Sequence, residues 1–288
     1  MTDATYSMIG KTCLVTGANA GIGKATALGL AQMGASVVLV CRDPGRGQAA
    51  LSEIQHQSGN PSVSLLLADL SSQTSIRQLA AEFKSSYPAL HVLINNAGVI
   101  PKKHTFTEDG LETQFAVNHL AYFLLTYLLL DQLKSSASAR IVNVSSQAHR
   151  RSVSLDFNDL QSTRSYHRSQ VYARTKLANV LFTYELARRL EGTQVAANCL
   201  HPGVIATNLL GDYAGMPRVL RFFTNLLGAS PEQGAHTSLY LATSPQVEGS
   251  SGQYFIDCKA VPSSTESYDE QTAERLWQVS AELTGLDE

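Results

Sequence analysis

A tyrosine and a lysine stand four residues apart, as Tyr172 and Lys176, in the stretch SQVYARTKLANV. The chain has 11 tyrosines, and only this one is followed by a lysine at that spacing. Because residues four apart on a helix share a face, the phenol and the ammonium can lie close together. A nearby cation lowers the phenol pKa from its usual value of about 10, which makes this tyrosine a candidate proton donor or acceptor. An exposed helical pair without a chemical role is the alternative interpretation.

A glycine-rich stretch, TGANAGIGKA, follows a short apolar run and precedes a helix-length segment. Its Gly17, Gly21 and Gly23 would let the backbone turn tightly and approach a pyrophosphate. The first N–H groups of the following helix would attract the negative charge of that pyrophosphate. A tight turn without a ligand is the other interpretation, but the strand-turn-helix placement favours dinucleotide binding.

The end of the second predicted strand is where a dinucleotide fold distinguishes its two cofactors. An acidic residue there binds the ribose hydroxyls of NAD, and an arginine accommodates the 2′-phosphate of NADP. In the stretch VCRD, Cys41 occupies the expected acidic position and Arg42 follows it, so we predict NADP(H). Asp43 could supply a carboxylate for NAD or could cap the next helix, and Lys24 or Arg46 could share the phosphate contact.

Polar residues also follow the next predicted strands. Asp69 could accept a hydrogen bond from the adenine amino group or form a turn or N-cap, and the stretch NNAG at 95–98 could pass under the cofactor or form a turn. Ser145 and Ser146 end the fifth strand, where serines also serve as loop starters. Asn118 lies among apolar residues in a predicted helix, where an amide needs partners and so has a structural or catalytic task.

These residues can act together only in a fold that brings the strand ends close to one another. The pattern of apolar runs predicts such a fold. Mostly apolar strand-length runs occur at 12–16, 36–41, 63–68, 92–95, 140–145, 194–200 and 253–256. Helix-length segments lie near 22–33, 45–57, 74–86, 111–134, 170–190, 231–243 and 268–284. The alternation predicts an α/β fold, a doubly wound parallel sheet with helices on both faces, as a single domain over 1–288. Ligands bind beyond the carboxyl ends of such strands, where the polar residues named above fall.

Composition excludes several classes of function. The formal net charge is −2 and no long run of like charges occurs, so we expect neither nucleic acid nor an acidic membrane as partner. The four cysteines form no Cys-x-x-Cys pair, so we expect free buried thiols, no disulfides and no metal site. The N-terminal stretch MTDATYSMIG lacks the features of a signal peptide or anchor, which predicts a cytoplasmic protein. The apolar run 120–130 is too short to cross a bilayer and predicts a buried helix.

Taken together, the stretches TGANAGIG, NNAG, VNVSS, YARTK and HPG resemble the classical short-chain dehydrogenases/reductases across nearly the entire chain. More narrowly, VNHLAYFLLT, VYARTKLANVLFTYELARRL and LHPGVIATNL resemble the retinol dehydrogenase-like branch of that family. The resemblance implies that Tyr172 is the proton donor, that Lys176 holds the nicotinamide ribose and lowers the tyrosine pKa, and that Ser146 polarises the substrate carbonyl. It implies further that Asn118 holds a water in a proton relay. The residues expected to contact the cofactor are Gly17, Asn19, Gly21, Ile22, Gly23, Arg42, Asp69, Asn95, Ala97, Gly98, Tyr172, Lys176, Pro202, Gly203 and Thr207.

The chain departs from the commonest family pattern in two ways. Twenty-five residues, where about a dozen are usual, separate Ser146 from Tyr172, a long connection of the kind that tends to be functional. The retinol dehydrogenase-like branch shares this feature. Its membrane-bound members carry an N-terminal hydrophobic anchor that this sequence does not show, which argues against retinoids as the substrate more than against the reaction class.

The predicted reaction is hydride transfer between NADP(H) and a carbonyl or alcohol of a small lipophilic molecule, a retinal-like or other aldehyde or ketone. Reduction of a conjugated C=C bond and a non-catalytic NADP-binding sensor are the alternatives. The stretch 209–230 is rich in large apolar side chains and predicts a lid over the site, with ordinary packing as the alternative. The all-round apolar helix at 120–130 predicts a homo-oligomer, with core packing as the alternative.

Overall fold

A computed structural model describes residues 6–151, 154–203 and 230–286. The predicted cofactor contact Thr207 lies outside these residues. All of the predicted lid, 209–230, except Ser230 also lies outside them.

The described strands form one eight-stranded sheet in the order β3-β2-β1-β4-β5-β6-β7-β8. The strands are β1 Thr12–Thr16, β2 Ser36–Cys41, β3 Val63–Leu67, β4 Val92–Asn95, β5 Ala139–Val144, β6 Val195–His201, β7 Tyr254–Ile256 and β8 Lys259–Ala260. Every neighbouring pair from β3 to β7 is parallel, which confirms the predicted doubly wound parallel sheet. The sequence did not predict β8, which has two residues and pairs antiparallel with β7.

The order of the strands reverses between β1 and β4, where β1 has β2 on one side and β4 on the other. Val15 pairs with Leu39 of β2 and with Ile94 of β4, so the ends of these strands lie side by side. In an open parallel sheet the ligand crevice forms beyond the carboxyl ends of the strands at such a switch point. The register therefore places the glycine-rich stretch after β1 next to the NNAG stretch after β4.

Helices lie between the parallel strands at nearly the predicted positions. They are α1 Gly21–Gln32, α2 Pro44–Ser58, α3 Gln73–Ser86, α4 Thr113–Phe115, α5 Ala121–Ser135, α6 Arg168–Arg189, α7 Pro231–Thr243 and α8 Glu270–Leu283. Ser230 caps α7 in a capping box with Gln233, each side chain bonding to the other's backbone. The largest departure is inside the predicted helix at 111–134, where a π-helical segment, Ala116–Leu120, joins α4 to α5.

Helix α5 is buried more completely than a single sheet face would require, because α3 and the Trp277 side chain of α8 also pack against it. The ring of Phe123 meets Trp277 at 4.9 Å between centroids, and Phe182 of α6 lies 5.9 Å from the same indole. This packing is what we expected if the apolar helix at 120–130 is buried in the core of the monomer and not in an oligomer interface. Part of α5 remains accessible, with Tyr127 37% exposed, and the oligomer stays a prediction.

The continuous helical stretch Thr113–Ser135 is long and apolar enough to cross a membrane by length and composition. Of its most apolar window, 78% is buried inside the protein, which is the pattern of a core helix. The burial agrees with the prediction of a buried helix, but the expectation that the segment is too short to cross a bilayer was wrong, because the helical stretch has 23 residues and extends beyond the apolar run 120–130. The four cysteines, all within the described residues, are thiols and not disulfides. Cys13, Cys41 and Cys199 are buried as predicted, whereas Cys258 is half-buried and its sulfur lies 3.4 Å from His236 Nδ1.

Candidate active site

A cavity of ≈ 710 Å³ opens at the carboxyl edge of the sheet and brings together most of the predicted site residues. The predicted residues that line it are Gly17, Asn19, Gly21, Ile22, Gly23, Arg42, Asp69, Ala97, Gly98, Ser146, Tyr172, Lys176, Pro202 and Gly203. Asn95 and Asn118 are not among its lining residues, and Thr207 lies outside the described part of the chain. One cavity therefore joins the dinucleotide motifs to the tyrosine and the lysine.

The glycine-rich turn after β1 is built for close backbone approach. Gly17 has φ +67°, a conformation that side chains disfavour, and a Cβ on Gly23 would lie 2.4 Å from the Gly17 carbonyl oxygen. The N-cap of α1 is Ala20, whose side chain has no acceptor for the first amides of the helix. These amides are thus open to a pyrophosphate, and the turn fits a dinucleotide.

At the end of β2, a thiol stands at the usual acidic position, and the nearest carboxylate, Asp43, lines the cavity and also caps the next helix. Cys41 is buried, and desolvation raises the pKa of its thiol to about 11, so the thiol stays neutral. The Asp43 carboxylate accepts a hydrogen bond from the Arg46 backbone N–H at 2.7 Å and caps α2. The helix-cap interpretation of Asp43 is therefore confirmed.

Arg42 and Asp69 face each other across the rim of the cavity, with 3.9 Å between Nη1 and Oδ2. The Arg42 side chain is 72% exposed, so this ion pair contributes little to stability. Asp69 also accepts hydrogen bonds from both the backbone N–H and the hydroxyl of Ser71, which is the turn role. A contact of Asp69 with adenine stays a prediction.

Two further basic residues, Arg46 and Lys24, lie near the glycine-rich turn, and they have different partners. With the Asn19 amide oriented to satisfy its hydrogen bonds, its oxygen accepts from the Arg46 guanidinium at 3.0 Å from Nη2, and both residues line the cavity. Lys24 instead forms an ion pair with Glu53 at 2.8 Å and is not a lining residue. Arg46 is thus the better placed of the two to share a phosphate contact with Arg42.

Tyr172 and Lys176 lie one turn apart on α6, as the spacing predicted. Lys176 Nζ lies 5.6 Å from the centroid of the Tyr172 ring and 5.7 Å from that of Tyr122. Its ammonium donates to the Val144 carbonyl at 2.9 Å. The side chain is buried, and desolvation of its charged form lowers the pKa of Lys176 to about 7. The pair is therefore not an exposed surface pair.

The two serines that follow β5 differ in what their hydroxyls do. Ser145 is buried and donates its proton to the Lys176 carbonyl at 2.8 Å. Ser146 is half-buried, and its oxygen accepts from the Ala148 N–H at 3.2 Å, so its own proton can be donated into the cavity. The geometry favours Ser146 as the serine that meets a substrate oxygen.

Asn118 sits in the π-helical segment and braces the loop after β4. Its side-chain oxygen accepts from the Val99 N–H at 2.8 Å, and its NH₂ donates to the Val99 carbonyl at 3.0 Å and to Thr175 Oγ1 at 3.2 Å. The Asn118 backbone carbonyl accepts from Asn179 Nδ2. The buried Asn118 amide thus has the hydrogen-bond partners that it needs, and its structural role is to hold the loop after β4. Its role in a proton relay stays a prediction.

The predicted cofactor contact of Asn95 is not supported by its position. Its side chain is fully buried and donates to Thr126 Oγ1 and Asn143 Oδ1, which ties β4 to α5 and β5. Its neighbour Asn96 lines the cavity instead, held by bonds to the backbone and the hydroxyl of Thr16. Asn95 is the last residue of β4, and its side chain points into the core, whereas Asn96 begins the turn beyond the strand.

Several lining residues were not predicted from the sequence. They are Ala20, Val40, Ala68, Leu70, Ser71, Asn96, Val99, Ile100, Val117, Val144, Gln147, Ala148, Arg151 and His201. Most are apolar or lie just beyond a strand end, so no motif marks them. Asn96 is the exception, because it belongs to the NNAG stretch, of which only Asn95, Ala97 and Gly98 were expected to contact the cofactor.

Residues 11–216 match the family model described as short chain dehydrogenase. The chain is 46% identical to human retinol dehydrogenase 14 over 296 aligned positions, covering 97% of this chain and 88% of that protein. It is 48% identical to human retinol dehydrogenase 12, covering 96% and 87%. Among solved structures, an uncharacterised protein from Mycobacterium paratuberculosis superposes with a TM-score of 0.79 at 32% identity, covering 98% and 96%. The chain therefore belongs to the short-chain dehydrogenase family, as a pyridine-nucleotide oxidoreductase of alcohol and carbonyl groups in its retinol dehydrogenase-like branch.

Proposed function

We propose that this protein uses NADP(H) in preference to NAD(H) and interconverts a lipophilic aldehyde or ketone with its alcohol. The observation that carries the cofactor choice is the charge at the end of β2. Two guanidiniums, Arg42 and Arg46, line the cavity there beside one carboxylate, Asp43, whose Oδ1 caps α2. Arginine forms paired, charge-assisted contacts with phosphate that a ribose hydroxyl does not reproduce.

When bound, the nicotinamide supplies or accepts the hydride. On this chain, Ser146 can donate its hydroxyl proton to the substrate oxygen, and Tyr172 can pass its phenol proton to the same oxygen in the reduction direction. Both residues line the same cavity, as they must if their hydroxyls are to contact the same substrate oxygen. Together they neutralise the negative charge that develops on that oxygen.

Lys176 supports this proton transfer from inside the protein. Its Nζ lies near the Tyr172 ring, and in its charged form it favours the phenolate over the phenol. The pKa of about 7 lets Lys176 take up or release a proton near neutral pH. The charge of Lys176 therefore affects how readily Tyr172 gives up its proton.

A lipophilic substrate agrees with the cavity wall and with the relatives. Apolar side chains line part of the cavity, among them Val99, Ile100, Val117 and Ala148. The related proteins are named retinol dehydrogenases, and retinol is an apolar alcohol. The predicted lid at 209–230 would add further apolar wall.

The test is a matrix of the purified protein with NADPH and NADH against two sets of aldehydes, one long or cyclic and one short and polar. We expect the highest kcat/KM for NADPH with the lipophilic set. A preference for NADH would overturn the cofactor choice. Equal turnover of the short polar aldehydes would overturn the lipophilic substrate and the lid. Product analysis on an enal would separate carbonyl reduction from reduction of its C=C bond.

A further inference from the structure

The side chain of His149 links the predicted catalytic serine to the C-terminal part of the chain. It belongs to a 3₁₀ turn, Gln147–Arg150, whose N-cap is Ser146. His149 Nδ1 lies 2.6 Å from the Ser146 carbonyl oxygen, and its Nε2 lies 3.1 Å from the Ser264 backbone nitrogen. The imidazole thus bridges two backbone groups that are far apart in sequence.

The partners decide where the imidazole carries its proton. A backbone N–H can only donate, so Nε2 must be the unprotonated acceptor of the Ser264 amide. The remaining proton lies on Nδ1 and is donated to the Ser146 carbonyl. His149 is fully buried, and desolvation lowers its pKa, which keeps the ring in this neutral form.

The neighbouring residues strengthen the link. Arg150 donates from its guanidinium to the carbonyls of Pro262 and Ser263, so two adjacent residues of the 3₁₀ turn bind the same loop. The His149 ring also packs edge-on against Tyr254 of β7 at 4.8 Å between centroids. The 3₁₀ turn is therefore fixed on one side by a loop that leads into α8.

We propose that His149 is a positioning residue that holds the Ser146 backbone from the 262–264 loop and thereby orients the Ser146 hydroxyl toward the substrate. This inference rests on the proposed function, because it assigns Ser146 to the reaction. The imidazole does not line the cavity, so it acts through Ser146 and not on the substrate. A misplacement of about 1 Å in a catalytic group can lower turnover by about 100-fold.

Three substitutions separate the two hydrogen bonds. His149→Asn keeps a donor near the Nδ1 position, His149→Gln keeps an acceptor near the Nε2 position, and His149→Phe removes both while retaining a ring. We expect kcat to fall about 10- to 100-fold in the Phe and Gln variants. The Asn variant should recover most of the wild-type kcat, and the dissociation constant of NADPH should change less than about twofold in all three.

His91→Phe is the matched control, because His91 Nδ1 also accepts from a backbone amide, that of Thr12, at 3.0 Å and outside the cavity. It should lower the melting temperature without lowering kcat. If kcat in the three His149 variants follows the melting temperature and Asn gives no recovery over Gln, His149 has only a structural role and the proposal is wrong.

A double-mutant cycle with Ser146→Ala completes the test. If His149 acts through Ser146, His149→Phe should lower kcat little further once the Ser146 hydroxyl is gone. Full additivity, with Ser146→Ala itself strongly impaired, would overturn the positioning role and leave the proposed function intact. A Ser146→Ala variant with normal kcat would overturn the assignment of Ser146, and with it this inference.

Discussion

The two ends of the cavity hold their polar residues in opposite ways. At the catalytic end, Lys176 and Ser145 are buried, and each makes a hydrogen bond to a backbone carbonyl at 2.8–2.9 Å. At the phosphate end, Arg42 is 72% exposed and its ion pair with Asp69 has 3.9 Å between the atoms. One end is fixed by the fold, and the other is open to solvent.

This difference in burial determines what each end of the cavity contributes to catalysis, stability and cofactor binding. A buried charge feels a low dielectric, so its pKa shifts and its interactions are strong. Exposed guanidiniums keep their charge and remain available to a phosphate, at little cost or benefit to the fold. Substitutions at the buried end should therefore change chemistry and stability together, whereas those at the exposed end should change cofactor affinity alone.

The largest effect should come from Tyr172→Phe at the buried end. The change removes the transferable proton and keeps the ring, so kcat should fall by about 10²–10⁴-fold while NADPH still binds. Steady-state kinetics and a fluorescence titration of NADPH measure the two quantities. Tyr87→Phe is the control, since the Tyr87 hydroxyl bonds to Ser64 outside the cavity. Near-normal turnover of Tyr172→Phe would show that the proton comes from elsewhere.

At the exposed end, Arg42→Ala should remove most of the preference for NADPH. Hydrogen bonds to a charged group contribute about 1.5–3 kcal/mol, which corresponds to roughly 10- to 100-fold in affinity. The loss should appear mainly as a raised KM for NADPH, because the phosphate is remote from the hydride. Arg46→Ala should show a smaller loss, and Lys24→Ala almost none, because Glu53 already engages Lys24. An unchanged cofactor ratio in Arg42→Ala would contradict the contact.

A pH series on unfolding tests the buried lysine. In the unfolded chain Lys176 titrates near 10.5, and in the folded protein near 7. Between these values the unfolded state binds one more proton at this site, so the free energy of unfolding rises with pH by about 1.4 kcal/mol per unit. The test measures the free energy of unfolding with urea at several pH values. Between about pH 7.5 and 9.5 this free energy should rise with pH less steeply in Lys176→Met than in the wild type, by about the same amount per pH unit.

Lys134→Met serves as the control for this series, since Lys134 is exposed at the end of α5. Its unfolding should follow the wild-type slope. Equal slopes for wild type and Lys176→Met would mean that the buried lysine keeps its ordinary pKa in the folded protein.

The smallest effect on activity should come from Asn95→Ala. The substitution leaves Thr126 Oγ1 and Asn143 Oδ1 without their donor in the core, and so should lower the free energy of unfolding by about 1–3 kcal/mol. The KM for NADPH should stay at the wild-type value, because Asn95 does not line the cavity. Urea unfolding and steady-state kinetics measure the pair of outcomes. A raised KM with unchanged stability would restore Asn95 as a cofactor contact.

Most of the fold follows from local patterns in the sequence. Apolar strands covered on both faces, and helix signals such as the Ser230–Gln233 capping box, act over a few residues, so their positions could be predicted to within one or two residues. The tyrosine-lysine spacing and the glycine-rich turn are local in the same way. The two-residue strand β8 could not be predicted, because its pairing with β7 and not its composition defines it.

What the sequence determined by itself is the fold class, the family and the group of residues that meets at the carboxyl edge of the sheet. The tertiary structure decided that Asn96 and not Asn95 lines the cavity. It also decided that the Ser145 hydroxyl donates to the Lys176 carbonyl, whereas the Ser146 hydroxyl keeps its proton for donation. It also decided that Asp43 caps a helix and that Arg46, not Lys24, reaches the cavity. The physical reason is that side-chain direction, burial and hydrogen-bond partners depend on contacts between residues far apart in the chain, which no local spacing records.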